Sequence, residues 1–468
     1  MRVLLVSANR ERTPSPVFPL GLAYLAGPLA AAGHDLKVLD LCFAAGPQQE
    51  ADQVTREFSP DAVVISLRNI DNVTYPCSRS YLAGVREIVA ICRKRAPVIV
   101  GGSGFSLMPT ELLAFLGADY GVVGEGEHLL PLLLRALADG GEPKLLPGVV
   151  CRGGTGYLPP VPVRTIGTPD RSLFDVGRYH REGGMANIQT KRGCPFSCIY
   201  CTYPLLEGEG MRLRPVSEII AEIRELVDGF GVSYLYFVDD IFNYPPDFAL
   251  ELCRAMGSAR LPVNWSAFIN PDFFTPELLD AMMSAGCDAL EFGTDSGSPV
   301  MLKNLGKSFS VAKVAEASRL CHASDIDFVH YLLFGGPGET EHTVRESFSL
   351  MDELAPTAVI AMTGIRIFPG TAIYRQALND GVITAETSLL EPTFYVSPGV
   401  ADILCDLVKS EASARTNWIV PGLEIAINDT MLEALRHFAV TGPLWKQMKR
   451  LGRRRSTPLS PNRPAAGA

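Results

Sequence analysis

The sequence predicts an α/β protein. It reads as a doubly wound, Rossmann-like parallel sheet, then a partial (β/α)6 barrel of the TIM type, then a small, mainly helical C-terminal region. Short apolar runs alternate with helix-length segments from the first residue on, the pattern of a parallel sheet covered on both faces. The alternation stops over a stretch rich in Gly, Pro and Arg and resumes near Asn187. The second region repeats β/α in succession, which favours a barrel over another open sheet. The expected boundaries are 1–145 for the first unit, 146–183 for a linker, 184–385 for the barrel and 386–468 for the rest.

In the first unit the strands fall at 3–8, 36–41, 62–67, 97–102 and 120–124. Residues 20–32 form the first crossover helix and 78–95 a later one. Gly124-Glu125-Gly126-Glu127 opens another, its acids suited to the positive end of a helix. A doubly wound sheet binds its ligand beyond the carboxyl ends of its strands. Ser7-Ala8-Asn9, Ser66-Leu67-Arg68-Asn69 and Gly101-Gly102-Ser103-Gly104 lie there. The glycines permit a close backbone approach to a ligand, or only make a turn. No G-x-G-x-x-G follows the first strand, which disfavours a nicotinamide or flavin dinucleotide.

In the second region the strands fall at 187–191, 234–240, 263–268, 289–293, 328–334 and 360–368. Helices at 216–229, 247–256, 276–285, 311–321, 339–354 and 372–378 separate or follow them. Barrel chemistry sits at the carboxyl ends of the strands. From about Glu391 the pattern loosens into helices and a basic, Pro-rich tail, which suits a solvated end better than a binding site.

Composition narrows the class. Acidic residues outnumber basic ones 51 to 42, for a net charge of −9, so no basic footprint marks a nucleic-acid binder. The apolar stretch 18–33 is broken by Pro19, Gly21, Gly27 and Pro28 and is shorter than the ~20 residues of a membrane helix. The N-terminus turns polar too early for a signal peptide, so the expected location is cytoplasmic. Eight of the 11 cysteines are scattered singly, as small hydrophobes in a reduced protein.

The other three form Cys194-Pro195-Phe196-Ser197-Cys198-Ile199-Tyr200-Cys201, directly after the first barrel strand. Three thiolates at C-x3-C-x2-C spacing can ligate three irons of a 4Fe–4S cluster and leave the fourth open. Zinc normally takes four protein ligands, and a disulfide framework does not suit an odd number.

With Tyr200 just before the third cysteine, this loop resembles that of the radical S-adenosylmethionine (SAM) enzymes. The resemblance implies SAM bound on the open iron and cleaved to a 5′-deoxyadenosyl radical. Phe237-Val238-Asp239-Asp240 resembles the motif that receives the SAM amino group. Glu291-Phe292-Gly293-Thr294-Asp295-Ser296 corresponds to contacts with the ribose and carboxylate. The stretches beginning at Leu333 and Ile365 resemble the fifth-strand Gly-rich motif and the sixth strand. The implied SAM contacts are Tyr200, Asp239, Asp240, Asp295, Ser296, Leu333 and Ile365.

The first unit is similar to the cobalamin (B12)-binding domain that precedes many radical SAM enzymes. It shares Pro19-Leu20-Gly21-Leu22-Ala23-Tyr24-Leu25, Gly101-Gly102-Ser103-Gly104 and Val123-Gly124-Glu125-Gly126-Glu127. Implied contacts are Ser7, Ser66, Arg68, Asn69, Gly102, Ser103, Gly104 and Glu125. It departs from the D-x-H-x-x-G pattern, since no histidine precedes His34. The loop Arg68-Asn69-Ile70-Asp71 then faces the lower side of the corrin, with Arg68 either hindering a sixth cobalt ligand or ion-paired to Asp71.

The function implied is a cobalamin-dependent radical SAM methyltransferase acting on an unreactive carbon of a small molecule. A flavodoxin- or ferredoxin-type electron donor is implied with it. Alternatives are a cobalamin-dependent cyclase or oxidoreductase without methyl transfer, and a cobalamin or redox sensor. A methylthiotransferase is disfavoured, because Cys42, Cys77 and Cys92 do not follow strands as cluster ligands should. Asn243, Tyr244, Asn264, Trp265, His330 and the segment 415–422 serve either substrate contact or core packing.

Overall fold

Strands with no polar face must be covered on both sides, and Val3, Leu4, Leu5 and Val6 retain no exposure at all. The computed structural model describes residues 1–154, 156–163, 165–425 and 441–447. Its first sheet comprises β1 (Arg2–Ser7), β2 (Asp35–Asp40), β3 (Ala62–Ser66), β4 (Val98–Gly101), β5 (Tyr120–Val122) and β6 (Val149–Cys151). The order is β2-β1-β3-β4-β5-β6. Five strands are parallel and β6 runs antiparallel to β5. The chain changes direction across the sheet between β1 and β3, so the loops after them open the crevice where such sheets bind ligands.

The stretch 146–183 holds more structure than its sequence suggests. It contains β6, too short to show a period, and the helix Val176–Gly183. It also buries Arg171, whose Nη1 donates to Glu222 Oε1 at 2.9 Å and Nη2 to the Asn187 carbonyl at 2.6 Å. Arg214 meets the other oxygen of Glu222 at 2.6 Å.

The second sheet is parallel throughout. It comprises β7 (Ala186–Ile188), β8 (Tyr234–Phe237), β9 (Asn264–Ile269), β10 (Cys287–Asp295), β11 (Asp327–Phe334), β12 (Ala358–Thr363) and β13 (Trp418–Ile419). The strands lie in chain order with β7 and β13 at the edges, an open barrel. The two-residue β13 was not foreseen because it carries no period. The expected strand 360–368 breaks at Gly364 (φ +67°), after which Ile365–Arg366 pairs antiparallel with Phe394–Tyr395. A Cβ at Gly364 would stand 3.0 Å from the ring of Tyr75, so the break lets the first unit's loop dock on the barrel.

The two units share a core, with Val3, Leu5 and Leu22 in one apolar cluster with Leu235, Phe237 and Trp265. Between them Arg366 Nε donates to Asp71 Oδ2 at 2.8 Å, both side chains 1% exposed. Among the described residues no helix is long and apolar enough to cross a membrane. Most of the basic tail lies outside the described residues; Lys446 pairs with Asp288 at 2.7 Å.

Candidate active site

The three-cysteine loop is pinned from both sides. Before it, Lys191–Arg192 pairs with Arg212–Leu213, and the Cys194 amide donates to the Gly208 carbonyl at 3.1 Å. Behind it, the Ile199 amide donates to the Leu305 carbonyl at 3.1 Å and the Ile199 carbonyl accepts from the Ile373 amide at 2.9 Å. A Cβ at Gly306 would come within 2.7 Å of the Ser197 carbonyl, so only glycine lets that loop back the cysteines.

The three cysteines are free thiols, Cys194 buried and Cys198 and Cys201 half-buried. Burial pushes Cys194 up to about 11, Cys201 up to about 12, and Cys198 in the same direction. Cys201 also feels the charge of both other thiols, which marks them as neighbours. Among the described residues no three His, Cys, Asp or Glu side chains converge on a single metal ion. Cluster cysteines each bind a different iron and so need not converge on one point. Three neighbouring thiols on a braced loop therefore fit an iron–sulfur cluster better than mononuclear zinc, and bound iron supplies the cation that ionises them.

The two adjacent aspartates after β8 have different fates. Asp239 is saturated: it accepts from the Thr190 amide at 2.7 Å, Thr190 Oγ1 at 2.5 Å and the Lys191 amide at 3.3 Å, and Lys191 Nζ lies 3.4 Å away. It braces the loop and has no capacity left for an amino group. Asp240 Oδ2 is buried with no hydrogen-bond partner. Burial, with Glu207 and Asp239 nearby, pushes its carboxyl up to about 9. An orphaned buried carboxyl beside the cysteines suits an ammonium, as SAM would present.

Beyond the cysteines, Tyr200 donates to Asp295 Oδ2, and Lys307 Nζ reaches the same oxygen at 2.8 Å. Asp295 holds φ +63°, which turns the chain at the end of β10. Leu333 and Ile365 pack in the same apolar cluster as Tyr200. Ser296 is committed elsewhere, with its Oγ 3.1 Å from Ser347 Oγ and accepting from the Ser298 amide. Glu339 Oε2 accepts from the Gly335 and Gly336 amides while Oε1 has no partner, and burial pushes the acid up to about 7. Lys307, in a loop, and Glu207, at the end of the five-residue helix Tyr203–Glu207, were missed because a lone Lys or Glu carries no spacing signal.

A cavity of about 1560 Å³ lies between the units. Ser7, Ser66, Arg68, Asn69, Gly102, Ser103 and Glu125 line it, and Gly104 does not. A Cβ on Gly102 would lie 2.7 Å from the Leu67 carbonyl, and one on Gly104 2.7 Å from the Arg68 carbonyl. These glycines admit backbone to backbone, holding the two strand-end loops together. Of the two alternatives for Arg68, the ion pair with Asp71 does not form, because Asp71 is taken by Arg366; Arg68 lines the cavity. Glu125 is engaged by Arg192 at 2.8 Å and by Arg212.

Comparison with known proteins places this arrangement. Residues 188–351 match the model of the radical SAM superfamily and residues 7–134 that of the B12 binding domain. The chain carries a radical SAM domain and a B12-binding domain. It is 28% identical to a tryptophan 2-C-methyltransferase of Streptomyces laurentii over 80% of this chain and 75% of that protein. It is 24% identical to an anaerobic magnesium-protoporphyrin IX monomethyl ester cyclase of Cereibacter sphaeroides, over 76% of this chain and 60% of that one. The fold matches the methyltransferase TsrM of Kitasatospora setae, solved with cobalamin and a 4Fe–4S cluster bound. The TM-score is 0.85 at 24% identity, covering 97% of this chain and 98% of the other. TsrM with tryptophan and a SAM analogue bound gives 0.86 at 24% identity, covering 97% and 99%.

The cavity thus joins the strand-end loops of the B12-binding domain to the radical SAM barrel, reaching Tyr236, Val238, Glu291, Tyr331 and Trp445. Asn243, Tyr244, Asn264, Trp265 and His330 do not line it. Trp265 Nε1 donates to the Ala285 carbonyl at 2.9 Å, and Asn243 donates to the Asn270 carbonyl at 2.8 Å. His330 sits between Thr294 and Ser318, and burial pushes it down to about 3. Tyr244 packs on Phe196 and Phe273. In the segment 415–422, Trp418 stacks on Phe348 and Arg415 pairs with Asp352, while Ile419, Val420, Pro421 and Gly422 line the cavity.

Proposed function

We propose that this protein is a cobalamin-dependent radical SAM methyltransferase that modifies an unreactive carbon of a small molecule. One observation carries the reading: a single cavity opens on the strand-end loops of the B12-binding domain, the helix after the cysteine loop and the barrel interior. Cys194, Cys198 and Cys201 hold the cluster, and Asp240 receives the SAM ammonium. Tyr200, Asp295, Lys307, Leu333 and Ile365 form the wall beside it. Ser7, Ser66, Asn69, Gly102 and Ser103 face the corrin, and Arg68 approaches it from the loop after β3. With these groups bound, the cluster and SAM supply a 5′-deoxyadenosyl radical and cobalamin carries the methyl group. An external flavodoxin or ferredoxin would furnish the electron that starts each cycle. β13 and the segment after it form one wall of the cavity.

The test is anaerobic purification with cobalamin supplied, followed by joint assay of iron, sulfide and corrinoid. About four irons and one corrinoid per chain are expected. Incubation with SAM and candidate substrates then gives a product about 14 Da heavier, the mass of one added CH2. A full cluster without corrinoid, or a product unchanged in carbon count, overturns the reading; the second outcome is that of a cyclase.

A further inference from the structure

The cofactor assignments leave one buried acid of the cavity unused. Glu291 lies mid-way along β10 and is 3% exposed. Its Oε2 accepts from Tyr331 at 2.8 Å and Tyr236 at 3.3 Å, and its Oε1 accepts from Trp445 Nε1 at 3.2 Å. All four side chains line the cavity. Trp445 packs on Ala289, Val329 and Ala358, near the starts of three barrel strands, and so closes this end of the chamber.

Among the described residues no cation offsets that charge. The three donors are neutral and fill three of the roughly four acceptor positions of a carboxylate. The basic side chain that the described part of the barrel contributes to the cavity wall is Arg192, and it is spent on Glu125 and Glu127 at 2.8 Å each. Lys446, next to Trp445, is held by Asp288. The remaining wall here is mostly apolar, Val238, Ile360, Met362, Ile419 and Leu444, with the uncharged Asn187 beside Tyr236. Burial holds the carboxyl above its ordinary range, the signature of an acid lacking a counter-charge. A mostly apolar end of a chamber that holds one carboxyl takes its ligand preference from that carboxyl.

We propose that this closed end binds the substrate through a cationic nitrogen, an ammonium or protonated amine, set on the Glu291 carboxylate between the rings of Tyr236, Tyr331 and Trp445. The proposal rests on the reading of the cavity as the substrate chamber. The phenols and the indole fix the carboxylate, and their ring faces add attraction for a cation. Charge alone, not size, then separates good ligands from poor ones of the same shape.

Calorimetric titration of the cofactor-loaded full chain, without reductant so that nothing turns over, tests this with three probes sharing one aryl group. Phenethylamine is expected to bind at least about tenfold more tightly than 3-phenylpropionate or N-acetylphenethylamine, a difference of about 1.4 kcal/mol. Glu291→Gln is expected to abolish that preference, and Tyr331→Phe, which keeps the carboxylate, to retain it. Equal binding of the probes, tighter binding of the anion, no binding of the amine, or a preference that survives Glu291→Gln overturns the proposal. The N-acetyl probe is compared with the amine on the unaltered protein, so a variant that fails to fold does not mask the result. Loss of iron or corrinoid speaks against the methyltransferase reading alone, because the amine preference is measured without catalysis.

Discussion

At the scale of single residues, the chemistry of the site separates groups that share a motif. Asp239 and Asp240 are adjacent in sequence, yet one is saturated by three hydrogen-bond donors and the Lys191 ammonium and the other keeps a buried oxygen unpartnered. Spacing located the pair and could not choose between its members, because the choice is made by Thr190 and Lys191 on another strand's loop. That the three cysteines are neighbours on one loop was legible, since it follows from local spacing alone. Replacing any of Cys194, Cys198 or Cys201 by Ala is expected to lower bound iron from about four per chain to less than one, read by iron and sulfide assay. Glu339 gives a pH prediction. Its folded pKa of about 7 lies above the ordinary carboxylate value, so the folded state holds the proton more tightly. Its contribution to stability is therefore best below pH 4.5 and is lost as pH rises toward 7. Glu339→Gln keeps the acceptor for the two glycine amides and removes the titration. Relative to the parent it is expected to gain roughly 3 kcal/mol between pH 4.5 and 8, measured by urea unfolding across that range. An unchanged difference across the range refutes this.

At the scale of elements, long apolar runs gave themselves away and short ones did not. The five parallel strands of the first sheet and the six barrel strands were legible from hydrophobic period. The strands β6 and β13, of three and two residues, take their form from a neighbour's edge rather than from their own pattern. The break at Gly364 was hidden for a related reason: it is imposed by Tyr75, far away in sequence. The loop carrying Arg68 and Tyr75 is fixed to the barrel by Asp71, and Arg366 there also donates to the carbonyls of Ile367 at 2.8 Å and Leu389 at 2.7 Å. Removing one partner of a buried pair strands the other charge, a loss of about 3–5 kcal/mol. Because the carbonyls still hold Arg366, Asp71→Ala is expected near the lower end of that range. The loosened loop is also expected to weaken cobalamin retention, read as corrinoid lost on gel filtration. A stability loss with undiminished corrinoid binding would show that the pair does not position this loop for the cofactor.

At the scale of the whole molecule, the two units behave as one body because their cores are continuous and their loops interlock. Val3 and Leu5 of the first sheet share an apolar cluster with Leu235 and Phe237 of the barrel, and Glu125 holds Arg192 and Arg212 across the boundary. No sequence pattern shows such a contact, since each half is satisfied by its own periodicity. The cavity between them is the largest consequence: neither unit alone builds its walls. A ligand that binds only the assembled cavity stabilises both units together, by RT ln(1 + [L]/Kd), or about 2.7 kcal/mol at a hundredfold excess over Kd. Calorimetry of the full chain is therefore expected to show one unfolding transition, moved upward as a whole when cobalamin is added. Were the units independent, two transitions would appear and cobalamin would move only the one belonging to residues of the first sheet. Asp71→Ala supplies the control within the same experiment. If the shared core does most of the coupling, the variant still melts in one step at lower temperature. If the buried ion pair does it, the transition splits, and the cobalamin shift stays with the earlier unit alone.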